Sequence, residues 1–189
     1  MHEFIYQRLN CLDDNICNEI IHLFENDPNI NEFCELCIYL DMKPNNIWSN
    51  IKDQIISILI AQHYNYFQFL FNNQVFSHFH LFEKINTNCF LVVKYKPNEI
   101  KQSFNTSTST TNYFENFLIH DSKHTLFTFI FFLNDIDDGG EINFFNYYNI
   151  KPEKGKLVIF PSDWFFSHKH NVPIHTDLYI IKGFIYIDN

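Results

Sequence analysis

The chain has 189 residues, of which 46% are apolar and 19% aromatic, and its formal net charge is −9. This apolar content excludes a disordered chain and is sufficient for one domain with a buried core. The negative charge argues against binding to nucleic-acid phosphates or to anionic membranes. The first residues lack a signal-peptide pattern, and no apolar run is long enough to span a bilayer. We therefore expect a soluble protein of the cytoplasm.

Two helices are predicted in the first 75 residues. Asp13–Asn15 offers N-cap oxygens to the first, which ends at Asp27–Pro28. The second follows Pro44, and its spacing predicts a buried stripe on one face. That stripe consists of Ile47, Ile51, Ile55, Ile56, Leu59 and Ile60. Between the two helices, Cys37–Leu40 predicts a short edge strand.

The C-terminal half contains short apolar, β-branched and aromatic runs separated by turn residues, which predict strands. These strands are Cys89–Tyr95, Phe127–Leu133, Ile142–Phe145, Lys156–Phe160, Trp164–His168 and Leu178–Tyr186. Gly139 and Gly140 predict a turn that requires positive φ. We expect two antiparallel sheets that enclose one core. The residues assigned to that core include Phe129, Phe131, Ile159 and Ile180.

The pattern indicates a single domain over residues 1–189, with helical support from 1–75 and a β core from 76–189. The five cysteines include a single CxxC, Cys34–Cys37, with no second pair to complete a zinc site. An odd number of cysteines is typical of reduced thiols in a cytosolic protein.

Four sequence elements keep a fixed order in the C-terminal half: LND at 133–135, DGGEINF at 138–144, KPEKGKLVIFPSDW at 151–164 and YIIKGFI at 179–185. This run resembles the prolyl-4-hydroxylase-like 2-oxoglutarate/Fe(II)-dependent oxygenases, especially those of large DNA viruses. The resemblance implies a mainly β fold with N-terminal helices (α+β). Its core would be a double-stranded β-helix, or jelly-roll, with the helices packed outside.

Members of the family hold iron with an HxD motif and a later His, and a basic residue about ten positions further on binds 2-oxoglutarate. The resemblance places His168 in the later His position, because FPSDWFFSH keeps the register from Phe160. His170 shares its strand face and is a substitute. Leu178 stands ten positions after His168, where the anchor is expected. Lys182 is the alternative anchor for 2-oxoglutarate, although the sequence slightly favours a solvent-facing lysine there.

The HxD motif is missing from the segment in which the family has it. If YKPNE at 95–99 sets the register, the motif falls on Phe104–Thr106, which has neither ligand. If the downstream strand sets the register, the candidates are His120 and Asp121. Adjacent strand residues face opposite sides, so both could bind only across a β-bulge. The predicted metal ligands are therefore His120, Asp121 and His168, and the two placements of the motif remain open.

The resemblance and the two placements of the motif leave three alternative functions. The favoured one is a catalytically degenerate oxygenase-fold protein, a pseudoenzyme that binds a protein or peptide and needs no cofactor. The second is an active hydroxylase of protein side chains that uses Fe(II) and 2-oxoglutarate. The third is a cupin-like binder of small molecules. None of the three involves nucleic acid or a membrane, and for a viral member the expected compartment is the host cytoplasm.

Overall fold

A computed structural model of the protein describes residues 2–28, 30, 36–39, 47–71, 85–87, 90–98 and 123–188. The helices and strands are, in chain order, β1 (Tyr6–Arg8), α1 (Asp14–Asn26), β2 (Leu36–Tyr39), α2 (Ile47–Phe71), β3 (Ile85–Asn86), β4 (Phe90–Tyr95), β5 (Lys123–Phe132), β6 (Ile142–Phe144), β7 (Tyr148–Ile150), β8 (Leu157–Pro161), β9 (His168–His170) and β10 (Leu178–Asp188). Short 3₁₀ helices cover His2–Phe4 and Trp164–Phe166. Among the described helices, none is both long and apolar enough to cross a membrane.

Both predicted helices form. Asp13 caps α1 by accepting hydrogen bonds from the backbone N–H groups of Asn15 and Ile16, at 2.9 and 3.0 Å. The Trp48 indole at the start of α2 donates to the Asp27 carboxylate at 2.8 Å, which ties the two helices together. Among the described side chains of α2, the buried ones are Trp48, Ile51, Ile55, Leu59, His63 and Tyr66. Ile60, predicted to be part of this stripe, is 61% exposed, because it lies on the far side of the helix.

The described strands form two antiparallel sheets, which confirms the two-sheet prediction. The large sheet has the order β1-β8-β5-β10-β4-β2, with β3 also paired to β10. The small sheet has the order β7-β6-β9. Strand β2 lies at the end of the large sheet, as predicted for an edge strand, and β1 closes the opposite edge by pairing with β8. The N-terminal segment therefore contributes strands as well as helices.

The large sheet separates two buried clusters. Its outer face packs against α1 and α2, and its inner face packs against the small sheet. Phe129, Phe131 and Ile159 are fully buried, but they lie on the outer face rather than between the sheets. Ile180 is fully buried on the inner face, as predicted. The prediction of a single core was therefore wrong: the structure has two cores, one on each face of the large sheet, because successive residues of a strand point to opposite faces.

The turn after β5 has the predicted left-handed glycines, with φ of 80° at Gly139 and 72° at Gly140. A Cβ at Gly139 would lie 2.2 Å from the Val172 carbonyl oxygen, so the turn packs directly on the segment that follows β9. The predicted strand Trp164–His168 is wrong over most of its length. Its residues form a 3₁₀ turn closed by the Phe166 N–H donating to the Asp163 carbonyl at 2.8 Å, and pairing with β6 begins only at His168.

Candidate functional site

The first strand residue of β9, His168, lies between the two sheets opposite Phe144 of β6. Its Nδ1 is 3.1 Å from the Phe166 carbonyl oxygen, so the tautomer that donates from Nδ1 leaves Nε2 available as an acceptor. Its ring centroid lies 4.8 Å from that of Phe160 and 5.6 Å from that of Phe144. Burial lowers the pKa of His168 to about 4, with the hydrogen bond to the Phe166 carbonyl opposing the shift and the charge of Lys182 adding to it, so the imidazole is neutral at pH 7.

His170 lies two residues later on the same face of β9. Its ring stacks on Tyr95, with centroids 5.1 Å apart and planes 27° apart, and meets the Phe132 ring edge-on at 6.5 Å. Both ring nitrogens are buried between these rings. Burial lowers the pKa of His170 to about 3, with further contributions from His168 and Lys182, and the Gly140 carbonyl opposes this shift only in part.

Lys182 lies on the inner face of β10, where it is half-buried beside Ile180 and Phe184. The sequence favoured a solvent-facing side chain, and this interpretation was wrong: strand alternation from Ile180 turns Lys182 inward. Its ammonium is 3.5 Å from the Tyr95 hydroxyl. Tyr95 therefore contacts both Lys182 and His170.

The position of the expected anchor is apolar. Leu178 is fully buried in the inner cluster and pairs in register with Tyr95. Lys182 pairs with Leu91 further along the same two strands. The structure thus brings together His168, His170 and Lys182 and adds Tyr95. The sequence analysis had treated Tyr95 as the end of a strand and the start of the YKPNE element, and its alternation with Leu91 and Val93 was the signal that it faces inward.

The other predicted ligands, His120 and Asp121, lie outside the described residues, as does the alternative segment Phe104–Thr106. In the described part of the chain, no three His, Cys, Asp or Glu side chains are grouped so that they could hold a metal ion. His168 and His170 supply two imidazoles, but an Fe(II) site of this type also requires a carboxylate. The described residues by themselves do not fit iron.

One HxD triplet was overlooked in the sequence: His175–Asp177. The structure excludes it as an iron site. The His175 side chain is 72% exposed, and its nearest acidic atom is an Asp138 carboxylate oxygen at 3.9 Å. Asp177 instead accepts from Lys94 at 3.0 Å, in the ion pair that faces α1. The acidic residues around the double glycine form a solvated turn, as predicted, with Asp137 and Asp138 exposed.

A family model of the 2OG-Fe(II) oxygenase superfamily matches residues 102–186 of this chain. The predicted resemblance to this family is confirmed. The matched range contains β5 to β9, most of β10 and both places predicted for the missing motif. No curated protein matches the sequence.

Solved structures show the same fold. A viral collagen prolyl hydroxylase from Paramecium bursaria Chlorella virus-1, in complex with 2-oxoglutarate, is 17% identical with a TM-score of 0.64; the match covers 98% of this chain and 97% of that one. A truncated form of the same enzyme is 16% identical with a TM-score of 0.63, and the match covers 98% of this chain and 90% of that one. A Pseudomonas putida prolyl-4-hydroxylase is 14% identical with a TM-score of 0.64, and the match covers 98% of this chain and 93% of that one. The prediction of a double-stranded β-helix fold is therefore confirmed.

Proposed function

We propose that this protein has the 2-oxoglutarate oxygenase fold but does not hydroxylate, and that it binds a protein or peptide instead. The observation that carries this proposal is the buried Leu178 at the anchor position. An apolar side chain cannot neutralise the distal carboxylate of 2-oxoglutarate, and a buried carboxylate without a partner is costly.

The residues available to bind Fe(II) also support the absence of hydroxylase activity. Within the described residues, His168 and His170 have no carboxylate beside them that would complete an iron site. A carboxylate ligand both binds Fe(II) and neutralises its charge, so two neutral imidazoles alone are expected to bind it weakly. The family relationship implies Fe(II) and 2-oxoglutarate for active members, and the proposed loss concerns this chain's own residues.

A surface suited to a peptide lies beside His168. The proposed aromatic patch consists of four exposed aromatic side chains: Phe4, Phe145, Tyr147 and Phe165. Phe145 and Phe165 lie close in sequence to Phe144 and His168, which pair between β6 and β9. The ring of Phe4 packs on Phe166 of the 3₁₀ helix before β9, with centroids 6.4 Å apart.

The proposed occupant of the aromatic patch is a proline-rich segment. Extended polyproline chains dock on aromatic surfaces, since they are already ordered before binding. The solved structures with this fold include a collagen prolyl hydroxylase and a prolyl-4-hydroxylase, enzymes that are named for proline substrates. Retention of the peptide surface without the chemistry would convert such an enzyme into a binding module.

One observation favours an active enzyme instead. The His168 Nδ1 lies 3.1 Å from a backbone carbonyl, which is how proteins commonly orient a metal-binding imidazole. In that case His120 and Asp121 would join His168 as ligands across a β-bulge, and Lys182 would bind 2-oxoglutarate. Iron would then supply the oxygen-activating chemistry for hydroxylation of a protein side chain.

Turnover separates these two functions. Purified protein with Fe(II), ascorbate and 2-oxoglutarate is expected to form no succinate above a protein-free control, with or without a proline-rich peptide. Succinate formation that is abolished by both His120→Ala and His168→Ala would establish the active enzyme and overturn the proposal.

Peptide binding is tested separately by fluorescence anisotropy with a labelled collagen-like peptide. The double variant Tyr147→Ser/Phe165→Ser is expected to weaken binding roughly tenfold or more, because aromatic anchors dominate such surfaces. Ile60→Ser removes an equally exposed apolar side chain from α2 and is expected to have no effect. Equal binding by the double variant and the wild type would rule out the aromatic patch.

The expected compartment is the cytoplasm. Cys11 and Cys17, the cysteines whose side chains the structure describes, are free thiols, and burial raises the pKa of each to about 11. Protonated, unpaired thiols suit a reducing compartment. Detection of a disulfide in protein isolated without reductant would contradict this expectation.

A further inference from the structure

The β6–β7 hairpin differs in composition from the rest of the chain. Residues 142–150 read INFFNYYNI and contain no charged side chain, in a protein whose formal net charge is −9. The exposed residues of this hairpin are two aromatic rings and two carboxamides, Phe145, Asn146, Tyr147 and Asn149. Protein-binding surfaces are depleted in charge and enriched in aromatic residues, and Tyr and Asn are especially common in loops that bind other proteins. The composition therefore indicates a surface that contacts an uncharged partner.

The turn of this hairpin has a fixed and unusual backbone. Phe145 and Asn146 have φ of 50° and 61°, a region that glycine adopts freely and bulky side chains rarely adopt. The N–H of Tyr147 donates to the carbonyl three residues earlier at 2.9 Å, and the N–H of Asn146 donates to Asn143 Oδ1 at 2.9 Å. The buried Asn143 amide in turn donates to Asn149 at 2.6 Å. The turn is ordered without a partner, which lowers the entropy cost of binding one.

The two rings at the turn are only partly explained by the fold. Tyr147 is 92% exposed, so its ring buries almost nothing within the protein. Phe145 is 37% exposed and occupies a strained backbone position that a glycine would fill at lower cost. A ligand that covers both rings accounts for aromatic residues at these two positions.

We propose that the turn at residues 145–147 is the recognition element of the aromatic patch and that it selects an uncharged, proline-rich segment. This inference rests on the proposed function. Phe145 and Tyr147 would pack against the proline rings. The Tyr147 hydroxyl would donate to the ligand's carbonyl groups, which a polyproline helix leaves without internal hydrogen bonds. The net charge of the chain repels an acidic segment, and the turn has no anion to pair with a basic one.

The test is fluorescence anisotropy of the full chain with a labelled oligoproline peptide whose ends are blocked. Tyr147→Ser and Phe145→Asn are each expected to weaken binding roughly tenfold, because aromatic anchors dominate such surfaces. Asparagine tolerates the left-handed conformation, so Phe145→Asn removes the ring and keeps the turn. Phe145→Tyr keeps a ring and is expected to retain binding. Phe165→Ser, in the same aromatic patch, is expected to weaken binding less than either turn variant, and Ile60→Ser on α2 is expected to have no effect.

The dissociation constant of the wild type should stay the same when NaCl is raised from about 0.05 to about 0.5 M, because no ion pair forms. A several-fold change with salt would overturn the inference. A larger loss from Phe165→Ser than from Tyr147→Ser would also overturn it and would leave the aromatic patch itself as the peptide surface. A wild type that does not bind oligoproline would refute the recognition element and its ligand together, whereas the succinate assay decides the loss of hydroxylase activity independently. Tyr147→Ser keeps the test valid if Phe145→Asn does not fold, since Tyr147 is almost fully exposed.

Discussion

The two faces of the large sheet are built from the same strands, but the polar side chains on them make different interactions. On the outer face, Lys94 forms ion pairs with Glu25 at 2.9 Å and Asp177 at 3.0 Å, and the Tyr179 hydroxyl donates to Glu25 at 2.7 Å. On the inner face, His170 packs against the rings of Tyr95 and Phe132, and burial lowers the pKa of its imidazole to about 3. Burial alone raises the pKa of a carboxylic acid, yet the hydrogen bonds from Lys94 and Tyr179 hold the pKa of Glu25 below its usual value.

This contrast indicates different roles for the two faces. The outer network joins α1 to β4 and β10 and satisfies its charges internally, as expected of a structural element. The inner face instead places two buried, neutral imidazoles beside Lys182, and groups with strongly shifted pKa values are common at functional sites. His63 on α2 is also buried, and its Nε2 has no hydrogen-bond partner, but it lies outside the inner cluster. It therefore serves as a comparison for a buried histidine on the helical side of the sheet. The following variants test whether the two faces can be separated.

The largest effect is expected from Phe129→Ala on the outer face. Phe129 is fully buried, and its ring packs edge-on against Phe90 and Phe131 at 6.0 and 6.1 Å. Removal of this ring should lower the free energy of unfolding by about 3–5 kcal/mol, as measured by urea denaturation. Tyr147→Ala removes a 92% exposed ring and should change stability little; equal losses in the two variants would contradict the assigned core.

Acid should destabilise the protein through His63. Burial lowers the pKa of His63 to about 4, below the usual 6.5, so the unfolded chain takes up the proton first. The contribution of neutral His63 to the free energy of unfolding is fully present above pH 6.5. It is lost as the pH falls towards 4, by up to about 1.4 kcal/mol per pH unit. His63→Leu should remove this part of the pH dependence of the unfolding free energy, whereas His22→Leu, at an exposed position, should not. Parallel pH profiles for wild type and His63→Leu would refute this assignment.

Gly140→Val should act at the edge of the inner face. Gly140 has φ of 72°, and its Cβ would lie 3.3 Å from side-chain atoms of both Leu178 and Pro152. The strained backbone should cost about 1–3 kcal/mol, visible as a lower melting temperature. Asp137→Val, in the same turn but exposed, is the matched control. A melting temperature unchanged by Gly140→Val would mean that the turn can adopt another conformation.

The smallest effect is expected from Lys94→Met on the outer face. The variant leaves Glu25 and Asp177 without their cation, and we expect a loss of about 1–2 kcal/mol, since both carboxylates keep contact with water. The loss should shrink in 1 M NaCl, where the wild-type pairs are screened. A loss of stability that is the same in 1 M NaCl would contradict the assignment of Lys94 to these ion pairs.

Much of the fold could be predicted from local signals. Alternation and turn residues located β4, β5, β6, β8 and β10, and the Asp13 cap located α1. What could not be predicted was the side on which each strand residue lies, because alternation gives two faces without saying which one meets the helices. Phe129 and Ile180 were therefore assigned to one core although they lie on opposite faces. Strand β7 was missed because it has only three residues and follows a turn in which Phe145 and Asn146, rather than glycines, adopt positive φ.

The candidate site was less predictable than the fold. Register within the motif placed His168 at the position of the family's later His, which stays a prediction. Nothing local indicated that Tyr95, more than seventy positions earlier in the chain, would contact both His170 and Lys182. Such contacts arise from strand pairing across the sheet and have no counterpart in sequence spacing. The predicted ligands His120 and Asp121 remain predictions.

Strand β10 has a consequence for how the chain is made. It is the last described element, yet it lies at the centre of the large sheet, paired with β3, β4 and β5. A ribosome adds roughly 5–20 residues per second from the N-terminus, so β4 and β5 are finished well before the strand that joins them exists. Neither face of the sheet can close until β10 is inserted. Folding should therefore occur late and cooperatively, after synthesis of the sheet is complete, and until then the nascent chain exposes the strand edges that chaperones bind.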